Sequence, residues 1–139
     1  MKVKNLFRIV PFLLLPIIII SCSSPVVKTT IPANFNETAK LMADNLITGL
    51  EKQDYAIFSK DFDEKMVNAV PNKAMAEIYK LLWNQNGDFK SLETKKTFEE
   101  KGYFIVLYNL IFEKGNLDMQ VVFAPNPPHK ISGLWFPPK

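Results

Sequence analysis

The chain has one cysteine, one histidine and little surplus charge, and each shortage closes off a class of function. A lone Cys22 cannot form an intramolecular disulfide. A lone His129 rules out a zinc site of the usual Cys/His kind, and no cofactor is expected. The formal charge of +3 comes entirely from Lys2, Lys4 and Arg8; removing these three from the 17 basic residues leaves 14, against 14 acidic ones. A nucleic-acid binder needs a basic patch in its folded part. The pair Lys95-Lys96 is too short to supply one and is flanked by Glu93, Glu99 and Glu100. No nucleic-acid partner is expected.

What is present starts with a leader. Three basic residues in the first eight are followed by residues 9–20, apolar throughout apart from Pro11 and Pro16. Twelve helical residues would rise about 18 Å, short of the roughly 30 Å hydrocarbon core, so the run suits a signal-peptide core better than a membrane span. The adjoining Ile19-Ile20-Ser21-Cys22 resembles the lipobox of prokaryotic lipoproteins. That resemblance implies a diacylglyceryl group on the Cys22 thiol and cleavage that leaves Cys22 as the new N-terminus. Two acyl chains, at about 0.8 kcal/mol per buried methylene, anchor a protein stably. Residues 1–21 are therefore expected to be a lipoprotein signal peptide. Residues 22–36 are the lipidated cysteine and a Ser/Thr/Pro-rich tether, and 37–139 one domain. The expected location is the cell membrane or outer membrane, facing away from the cytoplasm.

Helical periodicity fills the first half of that domain. Ala39, Met42, Ala43, Leu46, Ile47 and Leu50 form one apolar stripe on a helix over about 37–53, with Asn34 or Asn36 as its cap. Asp54 is placed to cap a short second helix, and Asp61 or Asp63 a third that runs to Val70. Pro71 opens a fourth with Met75, Ile78, Tyr79 and Leu82 on one face, closed at Gly87.

After Gly87 the period changes to two, and residues 89–99, 103–113, 117–124 and 131–136 read as antiparallel strands. A Gly115-Asn116 hairpin would set Phe112 opposite Met119, Leu110 opposite Val121 and Tyr108 opposite Phe123. The next hairpin would pair Phe123 with Ile131 and Met119 with Trp135. One face then collects Phe104, Val106, Tyr108, Leu110, Phe112, Met119, Val121, Phe123, Ile131 and Trp135. A three-residue loop at 100–102 adds Leu92 and Phe98. The helices should lie on this face, giving an α+β fold. The opposite face carries Ile105, Leu107, Ile111, Val122, Leu134 and Phe136 among polar residues, too apolar for solvent alone, and is the candidate interface for a homodimer or another envelope protein.

Helices followed by a curved four-stranded antiparallel sheet resemble the cone-shaped fold of cystatin-like and nuclear transport factor 2-like proteins. The run Gly49-Leu-Glu-Lys-Gln-Asp-Tyr-Ala-Ile-Phe-Ser-Lys-Asp-Phe-Asp-Glu-Lys-Met66 looks like a small uncharacterised family of that fold, as do Gly87-Asp88-Phe89 and Ile131-Ser-Gly-Leu-Trp-Phe136. The resemblance covers about residues 37–136 and implies a secreted or lipid-anchored setting. In that family the domain sometimes precedes an α/β-hydrolase domain; here, where the sequence stops at Lys139, no hydrolase activity is expected. The matching positions are apolar and turn residues, and no catalytic residue transfers.

Chemistry has few candidates. His129, at a Pro-rich hairpin tip, is expected to be an exposed loop residue and not a general base. Tyr55, Phe58, Trp83, Tyr108 and Trp135 could line a small-molecule pocket of the isomerase type, which would need a carboxylate beside the tyrosine. Asp118 counts onto the opposite face. Aromatics at such spacings more often form plain core. The residues favour a non-enzymatic, lipid-anchored domain that works by dimerisation or protein binding; a small-molecule-binding cone is the alternative.

Overall fold

The computed structural model describes residues 30–138. The leader, Cys22 and the tether up to residue 29 lie outside the described residues. Four helices precede four strands: α1 Phe35–Lys52, α2 Tyr55–Phe58, α3 Glu64–Ala69, α4 Asn72–Asn86, β1 Phe89–Glu100, β2 Tyr103–Phe112, β3 Gly115–Phe123 and β4 Ile131–Trp135. The strands form one open antiparallel sheet in the order β1-β2-β3-β4, and the helices pack on one of its faces. This is an α+β fold, consistent with the expected cone. No helix among the described residues is long and apolar enough to cross a membrane.

The helix signals act locally as their chemistry requires. Asp54 accepts from the N–H groups of Ala56 at 2.9 Å and Ile57 at 3.2 Å, and Asp63 accepts from Met66 N at 2.8 Å. Asn34 occupies the cap position of α1 without a side-chain bond; its carbonyl accepts from Thr38 instead. The α1 stripe is buried from Phe35 through Leu50, apart from a half-buried Met42. Gly49 is what lets α2 turn back on α1: a Cβ there would overlap the backbone of Phe58.

The core lies between this stripe and the even-numbered residues of β2. Phe104, Val106, Tyr108, Leu110 and Phe112 are buried with Met119, Val121, Phe123 and Ile131. Phe35 meets Phe104 and Phe123 edge-on, with ring centres 4.8 and 5.4 Å apart. The β4 edge is not left bare: Asp63 N donates to Ile131 O and Ile131 N donates to Asp61 O, so residues 61–63 run along it.

Three register details depart from expectation. The β2–β3 turn is Glu113-Lys114, with Phe112 opposite Gly115 and Tyr108 opposite Met119. The N–H groups of Glu113 and Lys114 donate to the carbonyls of Asp88 and Asn86, which fixes the turn two residues early. Moving the turn by two slips the pairing by four, an even number, which preserves every face. The β1–β2 loop is the two-residue Lys101-Gly102, both at positive φ, and Lys95 then forms a bulge. Leu92 therefore still opposes Leu110 on the core side, whereas Phe98 opposes Ile105 on the outer side. Ser132 is the extra residue of a third irregularity: Phe123 pairs with Ile131, but Val121 pairs with Leu134 and Gln120 with Trp135.

Candidate functional site

The Ser132 irregularity rearranges the outer face. Beyond it, Leu134 turns toward the core, against which it packs, and Trp135 turns outward, where it is 54% exposed. Phe136 also packs against the core and, with Leu81, Leu82 and Leu117, lines a surface groove of about 340 Å³ near the end of α4. Of the six expected interface residues, Ile105, Leu107, Ile111 and Val122 are therefore on the outer face and Leu134 and Phe136 are not.

Strand register resolves that face into rows. Phe98, Ile105, Val122 and Gly133 form one row; Lys96, Leu107, Gln120 and Trp135 form the next; Glu93, Asn109 and Asp118 the third. Tyr103, 40% exposed, precedes the first row, and Ile111, flanked by Ser91 and Asn116, follows the third. Apolar character is thus concentrated at one end. Ile105, held between Phe98 and Val122, is only 6% exposed although it faces away from the helices. Trp135 folds back over Gly133, where a Cβ would overlap its ring, so the indole covers the sheet at that point. Lys96 lies over the Phe98 ring at 5.0 Å from its centre, and Lys95 crosses β2 to Asp118 at 2.8 Å. The result is an aromatic and aliphatic patch with a polar border.

Of the five residues expected to line a pocket, only Tyr55 and Phe58 are brought together, with ring centres 6.2 Å apart. Tyr55 donates its hydroxyl to Val70 O at 2.9 Å, Phe58 is fully buried against Phe62, and Trp83 stacks on Tyr79 with ring centres 5.0 Å apart. Trp135 is on the far side of the sheet. Tyr108 alone faces inward with a functional group: it is fully buried, and its hydroxyl has no hydrogen-bond partner among the described residues. Burial pushes its phenol well above the usual tyrosine range, and the negative charge of Asp44 adds to the shift. No charged side chain among the described residues is buried; Asp44, the carboxylate that acts on Tyr108, is half-buried and paired with Lys40.

His129 is half-buried, contrary to the expectation of an exposed loop residue. Its Nδ1–H donates to Ala124 O at 3.0 Å and its ring sits edge-on to Phe35, which makes it a closing element of the β3–β4 loop. Asp63, on the opposite side of β4, accepts from Ser132 Oγ at 2.7 Å. Burial works against its charge, but the Ser132 hydroxyl, the Met66 N–H and nearby Lys65 together hold its carboxyl below the usual aspartate value. These contacts join α3 to β4. No group of three or more potential metal ligands occurs among the described residues.

The α1–α2 close approach, the α3–β4 link and the bulged fourth strand all fall within residues 43–134, which match the family model described as DUF3887, protein of unknown function. The chain belongs to the DUF3887 family. No curated protein matches it. Within the matched span the outer patch draws on Phe98 and Tyr103, which the sequence reading missed. Tyr103 shares the odd-number parity of Ile105 and Leu107, so the alternation was enough to find it; Phe98 depended on a bulge that alternation does not show.

Proposed function

We propose that this DUF3887 chain is a lipid-anchored cell-envelope domain, non-enzymatic, whose working part is the outer face of its sheet, used to bind protein. The observation that carries this reading is the patch around Phe98, Ile105, Leu107 and Trp135, on the side of the sheet that the helices leave uncovered. The border of Lys96 on the β1 edge, Glu93, Asn109 and the Lys95–Asp118 pair matches the polar rim of a protein interface around an aromatic centre. The leader and Cys22 support attachment to a membrane, with the tether holding the domain clear of it.

Two measurements test the two halves. Cys22→Ser should move the protein from the detergent phase to the aqueous phase on partitioning; unchanged partitioning would overturn the lipid anchor. A photo-crosslinking residue at position 107, in cells making the full chain, should give a covalent adduct with protein. The same residue in place of Leu41, exposed on α1, should give none. Absence of a protein adduct at 107, or equal capture at 41, would overturn the interaction face.

A further inference from the structure

The outer face is complementary to itself. We propose that it is covered by a second copy of the chain, related by a two-fold axis parallel to the strands and passing between β2 and β3. The inference rests on the interaction reading above and names its partner.

The rows dictate this axis. A two-fold along the strands leaves each row facing its own row, reversed from edge to edge. Ile105 then lies on Val122 of the second copy and Leu107 on Gln120, whose methylenes cover it. Asn109 lies on Asp118, an amide donor against a carboxylate. Further out, Phe98 faces the Trp135 indole that covers Gly133, an aromatic pair across the axis, and Lys96 reaches the exposed edge of the same ring. Aligned sheets rotate by about 30° across a gap of roughly 10 Å. The pairs next to the axis keep their register under that rotation, and the long Lys96 side chain spans the offset at the edge.

The competing in-plane axis, perpendicular to the strands, fails on electrostatics. It would lay the Glu93–Asn109–Asp118 row over Phe98, Ile105 and Val122, stripping water from two carboxylates against apolar groups. The available area is adequate but modest. Four strands spaced about 4.8 Å apart and averaging about nine residues long make a face of roughly 550 Å² per copy, hence about 1,100 Å² per pair. That is the lower end for a specific interface and fits a reversible homodimer.

The test places a photo-crosslinking residue at Gln120 in the purified full chain, held in a large excess of detergent micelles. A covalent dimer is expected, with the junction peptide drawn from β2 around Leu107. Trp135→Ala removes an exposed ring without touching the core and should lower the dimer yield several-fold. Leu107→Lys should lower it more than tenfold, since the two-fold sets a lysine in the buried row of both copies. Thermal unfolding of both variants checks that they remain folded. No dimer from Gln120, together with an adduct to a different protein from position 107 in cells, would overturn this inference and leave the interaction reading standing. Adducts to phospholipid alone, or none in either experiment, would overturn both.

Discussion

Replacing Tyr108 by phenylalanine should stabilise the protein. The Tyr108 ring fills the space between β2 and the α1 layer, while its hydroxyl is fully buried without a hydrogen-bond partner. Leaving such a group unsatisfied costs about 1–3 kcal/mol, and phenylalanine keeps the ring while removing the polar atom. A gain near 1 kcal/mol corresponds to a rise in Tm of about 4–8 °C for a domain of this size. The alkaline limb gives a second, independent reading. Because the folded phenol titrates above its ordinary value of 10.0, the unfolded chain loses this proton first. The contribution is fully present below pH 10 and is lost as pH rises toward the folded value, at about 1.4 kcal/mol per pH unit. Tyr108→Phe should lack that share, so the two stability curves, measured by urea unfolding between about pH 8 and pH 11, diverge above pH 10. Destabilisation by more than about 1 kcal/mol, or parallel alkaline limbs, would show that the hydroxyl has a partner in solution and that the orphan argument fails.

Two further substitutions test the packing. Gly49→Ala would drive a Cβ into the Phe58 backbone, which cannot rotate away, and should cost about 3 kcal/mol, read as a fall in Tm of about 10 °C or more; a change below about 2 °C would contradict the close approach of α1 and α2. Ser132→Ala removes the hydroxyl donor to Asp63 and, with both groups half-exposed, should cost about 1 kcal/mol at pH 7. Since the Asp63 carboxyl is held low, its contribution is present above the ordinary value of 3.8 and is lost as pH falls through the folded one, so wild type and variant should converge in acid. An equal gap in urea midpoints at about pH 7 and pH 2.5 would remove the charged hydrogen bond from the explanation.

The fold was legible because its signals are local. Asp54 and Asp63 bond to the helix N–H groups that follow them, and the α1 stripe is defined by its own spacing. The β2 core face was legible for a different reason. Its alternation fixes which residues share a side, and the four-residue slip of the hairpin pairing left that assignment unchanged. The turn position depended on the carbonyls of Asn86 and Asp88, at the far end of another element, and the turn chemistry of Gly115-Asn116 carries no trace of them.

The candidate site was harder for a reason that lies in the site itself. Where one face of a strand is polar, a bulge betrays itself by throwing a charge into the core or a large apolar group into water. In β4, Leu134 and Trp135 are adjacent and both apolar, so either could face either side without penalty in the pattern. Around Phe98, the apolar outer partner Ile105 removes the same constraint from β1. A sheet that is apolar on both sides near one end therefore hides its own register there. What breaks the tie is tertiary. Asp61 and Asp63 bond the two backbone groups of Ile131, and Asp63 also takes the Ser132 hydroxyl, which turns the intervening residue toward α3 and sends Trp135 outward over Gly133. The α3 cap, chosen locally for a helix, thus also decides which aromatic ring the outer face presents.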